Sequence, residues 1–129
     1  MTTERASKYD LSTLIRDCGQ SGAVWVSRGA LASAQDDFGL ATGDKVREFI
    51  ANNGLEQPRH ISTVPWENNP DESQVVWVDS YEFFSGNLFG YFAFFKGATG
   101  SWVVKSFKKN DQPNPRFMQM KAALEKLKE

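Results

Sequence analysis

Apolar residues recur at helical spacing through the first fifty positions and then change to strand-like runs. Leu11, Leu14, Ile15 and Cys18 follow i, i+3, i+4, i+7 spacing, which predicts a short amphipathic helix over 10–18, stopped at Gly19. "AVWVS", 23–27, reads as extended. Ser27 can cap a second helix over 29–37 that presents Ala30, Leu31 and Ala34, with Phe38 following and Gly39 ending it. Thr42 caps a third, 43–53, with Val46, Phe49 and Ile50 on one face and "NNG" as its stop.

Residues 55–72 hold Pro58, Pro65 and Pro70 and read as a loop with one strand, "HISTV". Three β-rich runs follow: "SQVVWVDSYEFF" (73–84), "LFGYFAFFK" (88–96) and "SWVVKSF". "SGN" and "GATG" separate them as turns, so 73–109 predicts a three-stranded antiparallel meander. After "NDQPNP", Asn114 and Pro115 make an N-cap and N1 pair for a C-terminal helix over 115–128. Phe117, Met120, Leu124 and Leu127 form its stripe, read as packing on the sheet. The expectation is one α+β domain, 1–129. It is mainly helical over 8–54, has an antiparallel sheet over 59–109, and adds a C-terminal helix over 114–128.

A chain of 129 residues with 40% hydrophobic and 13% aromatic content can bury a core of its own. No run of 18 or more apolar residues occurs and the first ten residues are polar, so a cytoplasmic protein that does not enter a membrane is expected. The lone cysteine, Cys18, cannot form an internal disulfide and reads as a small core residue. The net charge of −1 is unevenly spread. Residues 101–129 carry Lys105, Lys108, Lys109, Arg116, Lys121, Lys126 and Lys128 against Asp111, Glu125 and Glu129. The rest of the chain is acidic. Broad nonspecific nucleic-acid binding is disfavoured, while a local basic patch is not. One histidine and one cysteine exclude a zinc cluster, and no phosphate-binding glycine loop is present.

The order of elements and four sequence features together resemble the MqsR toxins of bacterial toxin–antitoxin systems, which have a RelE-like fold. The features are "SRGALASAQDDFGL", "VWVDSYEFF" with Trp77, Asp79 and Tyr81, the Gly86 turn, and the terminal "VVKSFKKN". The likeness covers residues 9–110. It implies an endoribonuclease that cuts messenger RNA without a metal or other cofactor, on a concave sheet face, neutralised by a protein antitoxin. The lysine of the family's terminal Ser-Phe-Lys element falls on Lys108. Its strand tyrosine falls on Tyr91 if two residues are inserted after the Gly86 turn, and on Phe89 if not. A basic residue ahead of the sheet falls on Arg59 or His60. Val78 and Ala93 stand where the family carries glutamine and lysine, and the C-terminal helix is an addition.

Metal-free RNA cleavage needs a base for the 2′-hydroxyl, a cation for the phosphorane and an acid for the leaving 5′-oxygen. The expected catalytic set is Lys108, His60 and Tyr91, with Arg59, Lys105 and Lys109 as substrate-binding cations. Strict alternation along 101–109 puts Trp102, Val104, Ser106 and Lys108 on one face, and Val103, Lys105, Phe107 and Lys109 on the other. Asp79 and Tyr81 read as fixing sheet geometry, and Trp102 as a buried core residue. A second reading, favoured by the near-neutral charge and by Val78 and Ala93, is a noncatalytic protein-binding module on the same scaffold. An exposed apolar stripe on 117–127 would mark it. Nothing in the sequence speaks for small-molecule chemistry.

Overall fold

A computed structural model describes residues 6–20, 22–71, 73–97, 99–111 and 115–127. Helix α1 spans Leu11–Cys18, and the side chain of Asp10 caps it through the amide of Ser12. Strand β1 is Val24–Val26, α2 is Arg28–Phe38 and α3 is Gly43–Ala51. Ser27 and Thr42 cap α2 and α3 as the sequence predicts, and Gly39 closes α2 in the left-handed conformation. Four strands follow: β2 (Glu56–Pro65), β3 (Trp77–Ser85), β4 (Leu88–Lys96) and β5 (Trp102–Lys109). Helix α4, Pro115–Leu127, comes last. The Asn114 cap expected for it lies outside the described residues, as does residue 128 at its far end.

The expectation of an antiparallel sheet over 59–109 holds for β2 to β5, and β1, read only as extended, adds to it as a parallel edge strand. The order is β1-β5-β4-β3-β2, and β1 pairs parallel to β5, with Val24 opposite Trp102 and Val26 opposite Val104. A three-residue strand joined to its partner across some seventy-five residues leaves no local pattern to read. The segment read as a loop with one short strand is a ten-residue strand, β2, which accepts Pro58 and Pro65 because it is a sheet edge.

Helices α1, α2 and α3 cover one face of the sheet. Leu14, Ala30, Ala34, Val46 and Ile50 meet Tyr81, Phe83, Phe92, Phe94, Trp102, Val104 and Phe107 there. Fully burying one such phenylalanine contributes about 1.5–3 kcal/mol. Phe107 stands edge-on to Phe38 and to Phe49, at 5.3 and 5.7 Å between ring centroids. Gly90, opposite Phe83 in the β3–β4 ladder, has no room for a side chain: a Cβ there would lie 2.1 Å from the Phe83 ring. Trp102 and Cys18 are buried, as read from sequence. The indole N–H of Trp102 donates to Asp17 at 2.7 Å and fastens α1 to β5.

Asp79 ties the N-terminal segment to the sheet. Its fully buried carboxylate accepts the amides of Lys8 and Tyr9, at 3.0 and 2.8 Å, and the hydroxyl of Thr63. Tyr9 then donates to the carbonyl of Trp77 at 2.9 Å. The sequence predicts a part in sheet geometry for Asp79; the amides it accepts belong to the segment before α1.

The stripe on α4 does not dock along the sheet as expected. Phe117 is buried and stacks on Phe84 with centroids 4.1 Å apart, but Met120 and Leu127 are exposed. Among the described residues no helix is long and apolar enough to cross a membrane.

Candidate functional site

The sheet face away from α1, α2 and α3 is built in rows that the strand register sets. Arg59, Glu82, Tyr91 and Lys108 are successive cross-strand partners on β2, β3, β4 and β5. The next row is Ser62, Ser80, Ala93 and Ser106. Beyond it lie Val78, Phe95 and Val103, with Trp66 stacked on Phe95 at 4.5 Å. Cross-strand neighbours on one face are close enough to act together. Four residues scattered over fifty positions of sequence thus form one polar line.

A β-bulge decides which lysines reach this face. Ala93 pairs with Ser106 and Phe94 with Val104, so Lys105 is the extra residue on β5. Strict alternation therefore fails. Trp102, Val104 and Phe107 all point to the helices and Ser106 and Lys108 to the open face, while Lys109 pairs with Gly90 in a helix-side row. At the outer edge of β5, past its pairing with β1, Lys105, Ser106, Lys108 and Lys109 line one hollow of about 590 Å³ together with Tyr91, Asp37 of α2 and Asp111. Ser27 supports the bulge. Its amide donates to the Val104 carbonyl at 3.0 Å, and its hydroxyl donates to the Lys105 carbonyl at 2.9 Å while accepting the Ala30 amide of α2. The residue that caps α2 also fixes the backbone carrying Lys105.

Within the hollow the ammonium of Lys108 lies 5.5 Å from the centroid of the Tyr91 ring. That is cation–π range, and it holds a flexible lysine over a partly buried phenol. Glu82, almost buried, faces the guanidinium of Arg59 at 3.6 Å and the amide nitrogen of Asn110 at 3.5 Å. Asp37 is anchored by the backbone amide of Lys109 at 2.9 Å.

His60 is not in this arrangement. It pairs with Tyr81, and its ring meets Tyr81 edge-on at 5.5 Å on the helix-bearing side. The proton of the Thr63 hydroxyl goes to Asp79, so Nε2 of His60 is the donor in its 2.8 Å bond to Thr63. The basic face expected from Arg59, His60 and Lys108 together is thus formed by Arg59 and Lys108, with His60 turned to the opposite side. Alternation separates the two neighbours, and a second bulge between His60 and Ser62 then returns Ser62 to the open face.

Sequence reasoning missed Glu82, Asp37, Ser62, Ser80 and Trp66. The first four depend on register and helix docking. Trp66 follows Pro65 in a segment read as loop, and its tryptophan beside a glutamate was the available signal. No protein family, curated protein or solved structure matches the chain.

Proposed function

We propose that this chain is a toxin-type endoribonuclease on a RelE-like scaffold, acting on single-stranded messenger RNA and held in check by a protein antitoxin. The supporting observation is the Tyr91–Lys108 pair, with Lys105 and Lys109 lining the same hollow at the β5 edge of the open face. A phosphodiester held by Lys105 and Lys109 would lie beside a phenol and a cation, with Arg59 farther along the same row for a neighbouring phosphate.

In this reading the 2′-oxygen attacks phosphorus and passes its proton to Asp37, the anchored carboxylate of the hollow. Lys108 stabilises the charge of the phosphorane. The bond from phosphorus to the 5′-oxygen breaks, and that oxygen takes a proton from the Tyr91 hydroxyl, which solvent restores. The products are a 2′,3′-cyclic phosphate and a free 5′-hydroxyl. Glu82 orients Arg59 and Asn110.

The test is expression of wild type and Lys108→Ala from a tightly repressed promoter, with mapping of RNA ends. Growth arrest and new ends that the variant abolishes support the reading. Intact RNA with abundant folded wild-type protein contradicts it.

The noncatalytic binding-module reading draws on α4, where Met118, Met120 and Leu127 are exposed. It predicts retention of a protein partner with no RNA cleavage.

A further inference from the structure

The row of small residues on the open face has no part in the chemistry above. Ser62, Ser80 and Ala93 lie side by side on three adjacent strands, between the taller Tyr91 row and the Val78–Phe95 row. Short side chains between long ones leave a depression. This one is a hollow of about 160 Å³, floored by Ser62, Ser80 and Ala93 and bordered by Tyr91, Lys105 and Trp66. Trp66 is braced from behind by Phe95, their planes 28° apart. The hydroxyls of Ser62 and Ser80 share a bond of 2.7 Å and that of Ser80 also reaches the Ser62 carbonyl at 3.4 Å, so the floor presents hydroxyl oxygens that can accept. Tyr91 and Lys105 also line the neighbouring cationic hollow. Two compartments, one cationic and one aromatic with a hydroxyl floor, therefore share a wall, which is the division a nucleotide requires.

We propose that the hollow between Tyr91 and Trp66 is a base subsite that takes a single pyrimidine of single-stranded RNA. This rests on the reading of the open face as an RNA site, and adds which base it holds. The size sets the class: an engineered protein cavity of about 150 Å³ accepts one benzene ring. A six-membered pyrimidine matches that volume and a bicyclic purine exceeds it. Trp66 and Tyr91 supply stacking surfaces, which tolerate any base. The serine hydroxyls meet the polar edge of the ring, and Lys105 spans from base to phosphate.

The experiment titrates the full-length chain against end-labelled 2′-O-methyl tetranucleotides, all-uridine and all-adenosine, followed by fluorescence polarisation. These oligomers cannot be cleaved, so the result reads binding alone. The all-uridine oligomer is expected to bind about tenfold more tightly, the scale at which shape discriminates in a pocket. Ala93→Leu, which fills the floor, and Trp66→Ala, which removes a wall, are each expected to erase that difference. Lys108→Ala weakens both oligomers alike. Circular dichroism shows whether each variant is folded, and Trp66→Ala, outside the strands, keeps the test available if Ala93→Leu is not. Equal affinity of the wild type for the two oligomers, binding of neither, or a preference that survives in a folded Trp66→Ala protein overturns the proposal. Failure of the cleavage reading shows separately, as 2′-hydroxyl RNA left intact by a wild type that still prefers the uridine oligomer.

Discussion

The carbonyl of Lys105 is held at 2.9 Å by the hydroxyl of Ser27, seventy-eight positions earlier, and through this bond the cap of α2 sets the one irregularity that turns β5 toward its open face. Ser27→Ala removes a helix cap and the partner of a bulge carbonyl at once. It is expected to cost about 1–2 kcal/mol of stability. Urea unfolding measures this. If the cap matters only to α2, binding of oligonucleotides at the open face is unchanged. The account expects weaker binding.

Tyr91 has its ring under the ammonium of Lys108. Tyr91→Phe keeps that ring and removes the hydroxyl. RNA cleavage is expected to fall about a hundredfold with little change in binding, as for loss of a proton-transfer group. A rate unchanged in the variant removes Tyr91 from the chemistry.

Asp79 accepts two backbone amides and a threonine hydroxyl while fully buried. Asp79→Ala leaves these donors without their acceptor and frees the segment around Lys8 and Tyr9. The expected loss is about 2–4 kcal/mol, read from urea denaturation. A loss below about 0.5 kcal/mol would place the segment's anchorage elsewhere, in the range of an ordinary surface substitution.

Burial pushes the Cys18 thiol up to about 12. In the unfolded chain the thiol titrates near 8.5. Between those values the unfolded state has lost a proton that the folded state keeps, so this group's contribution makes stability fall as pH rises from about 8.5 toward 12. At pH 8 the native thiol is expected to resist a disulfide reagent until urea unfolds the protein. Rapid labelling of the native protein would contradict its place in the core.

The parts of the fold that depend on neighbours in sequence were legible. Gly19 and Gly39 end helices, Ser27 and Thr42 begin them, and the Gly86 turn joins β3 to β4. What was not legible depends on distant partners. The parallel pairing of β1 with β5 has no local signature. Alternation along "SWVVKSFKKN" correctly sets Trp102 and Val104 together but misplaces Lys105 and Phe107, because a bulge supported by Ser27 resets the phase. Periodicity likewise gives α4 an apolar stripe, of which only Phe117 finds a buried partner, the ring of Phe84. The sequence offers Arg59 and His60 as neighbours. Strand geometry sends them to opposite faces, which separates the only histidine from Lys108.

The central claim is that the open face cleaves RNA with Lys108 as the cation for the transition state. The direct measurement incubates purified wild-type chain and Lys108→Ala with single-stranded RNA in the presence of a chelator, and analyses the new ends. The account predicts products ending in 2′,3′-cyclic phosphate from the wild type, and a rate lower by about 10²–10³ in a variant that melts at the same temperature. Cleavage by Lys108→Ala at the wild-type rate, or RNA left whole by folded wild type, would contradict it.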